Sequence, residues 1–200
     1  MKKNACILNY GLGMYLAFLL HLGVSHAYEE SNSFIPDAFP KPIIHRQFSI
    51  PLDPDRVLVV YPPSASSRVD ALKSLLAKKC RQNIPFVSAD DLSETDLASH
   101  HLILLGNISD NQWVLRLYRR RYAFSDAYFP GAGGVIIHPA TSIWNRDRNV
   151  IVVGVSRDED IITGFRRFIG LLPDDVTEIG PLHLLDTNLV FPKPPDSVQP

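Results

Sequence analysis

HLILLGNISDNQWVLRLY at residues 101–118, YFPGAGGVIIHP at 128–139 and NRDRNVIVVGVSRDEDIITGFRRF at 145–168 decide the fold of this chain. Two apolar runs, 102–105 and 150–153, each end in a glycine, Gly106 and Gly154, and lead into an acidic or amide cluster followed by a helical pattern. Strand, tight turn and helix, twice over, specify an α/β architecture. Runs without polar alternation must be covered on both faces. A three-layer sandwich is therefore expected, with a mostly parallel central sheet and helices on its faces. The two glycines stand at strand ends, where such a sheet places its ligand crevice.

Working outward, Val57-Leu58-Val59-Val60-Tyr61 reads as a further buried strand. Residues 66–81 carry Val69, Leu72, Leu75 and Leu76 at helical spacing, and 85–88 reads as a short strand. Asp90-Asp91 opens a turn or short helix, and 101–105 is the third strand. A helix is expected over 110–122, capped by Ser109 or Asp110, with Trp113, Val114, Leu117 and Tyr118 facing inward. The strands 135–138 and 150–155 are joined by a loop too short for a helical crossover, so an antiparallel hairpin is expected near 134–155. A last helix spans 158–172, with Ile161, Ile162, Phe165, Phe168 and Ile169 on its inner face. Leu184-Leu185 and 189–191 could add an edge strand.

The ends are of another character. Lys2 and Lys3 precede an apolar stretch over residues 10–24, and Ser25-His26-Ala27 supplies the small residues of a signal-peptidase site. The expected layout is a signal peptide over 1–27, an extended proline-rich lead-in over 28–55, a single α/β domain over 56–191 and a proline-rich tail over 192–200. An uncleaved anchor is the alternative; after cleavage no stable membrane insertion is expected. Ile43-Ile44 and Phe48-Ser49-Ile50 could make short edge pairings. Removing two of the 20 basic residues leaves 18 against 21 acids, a formal charge of −3, which gives no electrostatic footprint for nucleic acid. Cys6 leaves with the signal, so Cys80 has no disulfide partner and reads as a packing residue.

Candidate chemistry is sparse. Pro130-Gly131-Ala132-Gly133-Gly134 resembles a phosphate cradle, yet its glycines precede a strand rather than a helix, and no Lys-Ser or Lys-Thr follows. A turn with close backbone approach is the better reading. Asn107, Asp110 and Asn111 after the first strand, and Ser156, Asp158 and Glu159 after the second, suit helix capping. Asn107, Asp110, Asn111, Ser156 and Asp158, with Gly131, Gly133 and Gly134, remain the candidate ligand-binding residues. Arg116, Arg119, Arg120 and Arg121 give one helix a basic side; Arg116, Arg119 and Arg120 are the candidate partner-binding residues. His45, His100, His101, His138 and His183 lack the spacing of a helical zinc pair, and Gly-x-Ser-x-Gly is missing. No catalytic residue, metal or cofactor is expected.

LILLGNISDNQWVLRL resembles the "strand, Gly-Asn, short spacer, Asn, apolar helix" pattern of an α/β domain found at the front of some carbohydrate-active enzymes. YFPGAGGVIIHPATSIWNRDRNVIVVGVSRDEDIITGFRRFIGLL is similar to its continuation: a Pro-Gly-x-Gly-Gly turn, a hairpin and a closing helix. The N-terminal domains of α-glucuronidases and β-hexosaminidases are of this kind. The resemblance covers about 70 residues, and less closely 57–81. It implies an accessory, non-catalytic domain, expected here as a stand-alone exported protein in the periplasm or outside the cell, with a glycan or an envelope protein as partner. Two other readings stay open. One is a small hydrolase using the strand-end crevice near Gly106, Gly154 and the 130–134 loop; the other is a partner-binding subunit using the Arg116–Arg121 face.

The leader reading has a direct test. Intact mass of protein recovered outside the cytoplasm should correspond to a chain beginning at Tyr28, and a membrane-bound product retaining residues 1–27 would refute cleavage.

Overall fold

The computed structural model describes residues 48–189. The signal segment, most of the lead-in, the Ile43-Ile44 pairing, residues 190–191 and the proline-rich tail lie outside the described residues.

Among the described residues eight strands form: β1 (Ile50–Pro51), β2 (Val57–Tyr61), β3 (Phe86–Ser88), β4 (His101–Leu105), β5 (Val135–Thr141), β6 (Asn149–Gly154), β7 (Glu178–Ile179) and β8 (Leu184–Asp186). Six of them make one sheet in the order β3-β2-β4-β6-β5-β8. β3, β2, β4 and β6 run parallel, with Leu58 opposite Leu102 and Leu102 opposite Val150. β5 turns back antiparallel on β6, pairing Ile137 with Val153, and β8 closes the edge antiparallel to β5. β1 and β7 form a separate antiparallel pair through Ile50 and Ile179. The α/β class and the mostly parallel sheet are therefore as the sequence led one to expect.

The strands separate their side chains by pleat. Val57, Val59, Ile103, Leu105, Ile151, Val153, Val135 and Ile137 share one apolar cluster with Leu72 and Leu76 of α1 (Val69–Leu76) and Phe165, Phe168 and Ile169 of α4 (Ile161–Gly170). Leu58, Val60, Leu102, Leu104, Val150 and Val152 share the other. It is completed by Leu97 of α2 (Glu94–Ser99) and by Trp113, Val114 and Leu117 of α3 (Gln112–Arg119). Every residue of β4 and β6 is buried, which is why neither strand alternates with polar residues. On the first face, Lys79–Asp174 (2.5 Å) and Arg81–Asp175 (2.7 Å) tie the turn after α1 to the turn after α4.

Several boundaries differ from the sequence reading. Pro62-Pro63 start a 3₁₀ turn over Pro63–Arg68, so the helix proper begins only at Val69. A similar turn over Asp158–Asp160 precedes α4. Ser93 and Asp96 form a reciprocal capping box, which places the helix at Glu94–Ser99 rather than at Asp90-Asp91. α3 is capped by Asn111, whose Oδ1 accepts from Trp113 N at 3.0 Å; neither Ser109 nor Asp110 is the cap. Cys80 is buried just beyond α1, a packing position.

Trp113 is the anchor of the second face. It is 3% exposed, its Nε1 donates to Ala89 O at 2.7 Å, and its ring meets Trp144 edge-on at 5.9 Å. Trp113→Ala would empty a large site and leave Ala89 O with only its bond from Gln112 Nε2 (3.1 Å), so denaturant melts should show a loss of about 3–5 kcal/mol. A loss below about 1 kcal/mol would contradict this placement.

Candidate functional site

β4 and β6 are parallel neighbours, yet the chain leaves β4 for α3 on one face and β6 for α4 on the other. That divergence opens the crevice in which α/β sheets hold ligands. Here a side chain of the protein occupies it. Asn107 is 3% exposed, and its Nδ2 donates to Val155 O (3.1 Å) and Ser156 O (3.2 Å) at the end of β6. Its Oδ1 accepts from Ser109 N at 2.7 Å. Asn111 is equally engaged, donating from Nδ2 to Leu105 O at 2.9 Å while capping α3. Gly106, at φ +102°, lets β4 turn beneath this network, and a Cβ there would lie 2.5 Å from Asp110 Oδ1.

Asp110 carries the strongest electrostatic signature of the crevice. Its Oδ1 accepts from Asn107 N at 2.7 Å, and its Oδ2 from Asn107 Nδ2 at 3.3 Å. Burial pushes its carboxyl up to about 7; the Asn107 amide opposes the rise, while a hydrogen bond to the Asp158 carboxyl and the Asp158 charge add to it. Asp110 and Asp158, each read from sequence as helix-capping, therefore meet across the β4 and β6 loops. No side chain caps α4 or the turn before it.

The glycine loop is bedded into the same region. Gly131 N donates to Ser156 Oγ (2.9 Å), Gly133 N to Asp160 Oδ2 (2.8 Å) and Gly134 N to Gly131 O (3.0 Å). Chain from β8 lies over it: Asn188 N donates to Pro130 O (2.9 Å) and Asn188 Nδ2 to Ala132 O (2.8 Å). A Cβ at Gly131 would collide with Asn188 O, and one at Gly134 would sit 2.6 Å from Pro130 O. Gly131 and Gly134 thus serve close backbone approach and Gly133 a left-handed turn at φ +70°, and the three glycine amides of the apparent phosphate cradle are already satisfied. The structure brings Asn107, Asp110, Asn111, Ser156 and Asp158 together with Gly131, Gly133 and Gly134, as a self-bonded clasp.

The arginines stand apart, Arg116 and Arg119 on α3 and Arg120 at its C-cap. Arg121 lies past the helix at φ +64°, so the four do not share one side. Arg116 pairs with Glu94 (2.5 Å) and lies over the Trp113 ring at 4.5 Å. Arg119 and Arg120 are exposed, and among the described residues neither side chain has a hydrogen-bond or ion-pair partner. With Arg116, Ile143 and Trp144 they line an open groove of about 350 Å³. Ile143 and Trp144, in the β5–β6 loop, were not singled out from the sequence; their proximity to α3 is a tertiary fact.

Among the described residues no group of three or more His, Cys, Asp or Glu is placed to hold a metal. His101 accepts from Asn149 N at 2.9 Å, and burial, with Arg148, Arg56 and His100 adding, lowers its imidazole to about 4. His138 stacks on Phe124 at 4.7 Å; burial likewise lowers it to about 4, and its Nε2 is buried without a partner among the described residues.

The Asp110 shift has a signed consequence. Its folded value of about 7 lies above the unfolded 3.8. The stability it contributes is therefore complete below about pH 4 and is lost as pH rises through 7. His101 and His138, lowered in the fold, act oppositely and are lost as pH falls from 6.5 toward 4. The difference between wild type and Asp110→Asn isolates the carboxyl, because an amide keeps a donor toward Asp158 at every pH. Relative to wild type, the variant should gain on the order of 2–4 kcal/mol between pH 4 and 8. A flat difference across that range would disprove the raised Asp110 carboxyl.

No known protein-family model matches this chain, and no curated protein is found to be related to it, so the site is defined by its own residues.

Proposed function

We propose that this chain is an exported, accessory-type α/β domain that binds or scaffolds, without catalysis, in a polysaccharide or cell-envelope context. The observation that supports it is the occupancy of the strand-end crevice. Asn107, Asn111, Ser156 and the glycine amides spend their polar groups on one another and on neighbouring backbone, so the position where this architecture places a substrate is filled by the protein. A catalytic site needs donors left free to meet developing charge. The leader sequence and the resemblance to accessory domains of carbohydrate-active enzymes supply the context.

One observation favours the second reading, a small hydrolase at the same crevice: the Asp110–Asp158 pair, with one carboxyl near neutral pKa. Its geometry is unfavourable for glycoside cleavage. Two carboxyls flanking a glycosidic bond stand about 5–9.5 Å apart, whereas these two are hydrogen-bonded to each other. Asp110 is also committed to Asn107 through both oxygens.

Co-sedimentation with a panel of insoluble and envelope-derived polysaccharides, together with a reducing-end assay, separates the readings. The protein should be retained by at least one polysaccharide with no release of reducing ends. Turnover that disappears in Asp110→Asn and Asp158→Asn would establish the hydrolase instead, and absence of retention on every polymer would remove the binding reading.

A further inference from the structure

We propose that the groove between α3 and the β5–β6 loop is a subsite for an anionic pyranose unit, its acidic substituent held by Arg119 and Arg120 and its ring lying on Trp144. This deepens the binding reading above and rests on it for the polysaccharide context, while the groove itself can be tested with soluble sugars.

Charge is the first support. Arg116 is already compensated by Glu94 and held over Trp113, so its cation stiffens the wall. Arg119 and Arg120 have no such compensation among the described residues, and both border the same hollow. Guanidinium forks lining one groove suit the planar, bidentate geometry of a carboxylate or the oxygens of a sulfate. A chain of formal charge −1 gathers no wider basic field, which disfavours nucleic acid and makes a single acidic group the better match.

Rigidity is the second. Trp144 is half-buried and braced edge-on against Trp113, ring centroids 5.9 Å apart at 78°. Its backbone N donates to Ser142 Oγ (3.3 Å), as does that of Asn145 (3.2 Å). Asn145 Nδ2 in turn donates to Ala98 O at the end of α2 (2.7 Å). The loop that carries the indole is thereby pinned to the second face of the domain. A preformed aromatic surface beside fixed polar groups is what binds a sugar ring at low entropic cost, because little remains to be ordered on binding. The groove volume, about 350 Å³, falls at the lower end of the ~300–1,000 Å³ range of small-molecule sites. Ile143 supplies an apolar edge for the sugar's CH groups.

The test titrates the protein with an oligogalacturonate, its fully methyl-esterified counterpart, a sulfated oligosaccharide and a glutamate-rich peptide of matched charge. Affinity is read by calorimetry and the site by the Trp144 indole N–H resonance. The acidic oligosaccharides should move that resonance; of the two, the tighter binder identifies carboxylate or sulfate as the group held. The methyl ester should bind roughly tenfold more weakly or worse. Arg119→Ala, Arg120→Ala and Trp144→Ala should each weaken the acidic sugar by about tenfold, and Arg119→Lys by less, since charge survives but the fork is lost. Melting temperatures of the arginine variants should stay near wild type, because both positions are exposed. Equal affinity for the ester, or unchanged affinity in the double Arg119→Ala/Arg120→Ala variant, would overturn the subsite even if a polysaccharide still retains the protein. A response to the peptide and not to the sugars would overturn it in favour of a protein interface. Retention failing on all polymers while the soluble uronate binds the groove would instead remove only the polysaccharide context.

Discussion

The carboxamide of Asn107 holds together what the topology would otherwise pull apart. Where β4 and β6 send their helices to opposite faces, the carbonyls of Val155 and Ser156 emerge without strand partners. Buried carbonyls left so would each cost about 1–3 kcal/mol. One side chain with two amide protons answers both and fixes its own loop through Ser109 N. Other features follow from this plug: the positive φ of Gly106 below it, the buried carboxyl of Asp110 beside it, and Ser156 turned toward Gly131. With the crevice closed from within, the open groove lies elsewhere, on the flank of α3.

How much of this was legible in the sequence depends on whether the determinant was local. β2, β4 and β6 announced themselves, because a strand buried on both faces can carry no polar alternation. Trp113 was readable from the helical spacing it shares with Leu117. Ser93 and Asp96 offered a cap signature three residues apart that a focus on Asp90-Asp91 passes over. Asn111 and Asp110 were equally plausible caps on residue type alone; the backbone turn at Gly106 decides between them by steering Asp110 back onto Asn107.

The remainder was not local. Asp110 meets Asp158 only because β4 and β6 are neighbours, and Trp144 meets α3 only because the β5–β6 loop folds under the second face. The candidate ligand residues lie together, with hydrogen bonds running among them and to neighbouring backbone. The arginine face, in turn, divides into one compensated cation, two uncompensated ones and one beyond the helix.

The outer edge of β5 carries a further implication, for self-association. Among the described residues, β8 pairs with it only along Val135, Ile136 and Ile137. Past that point the strand continues through Pro139, which has no N–H to offer an incoming chain. An open edge of a Val- and Ile-rich strand is a template for aberrant pairing between molecules. A short cover over one half and an imino acid in the other let this sheet end where it does, and they keep a strongly apolar strand from seeding a ladder with its own copies.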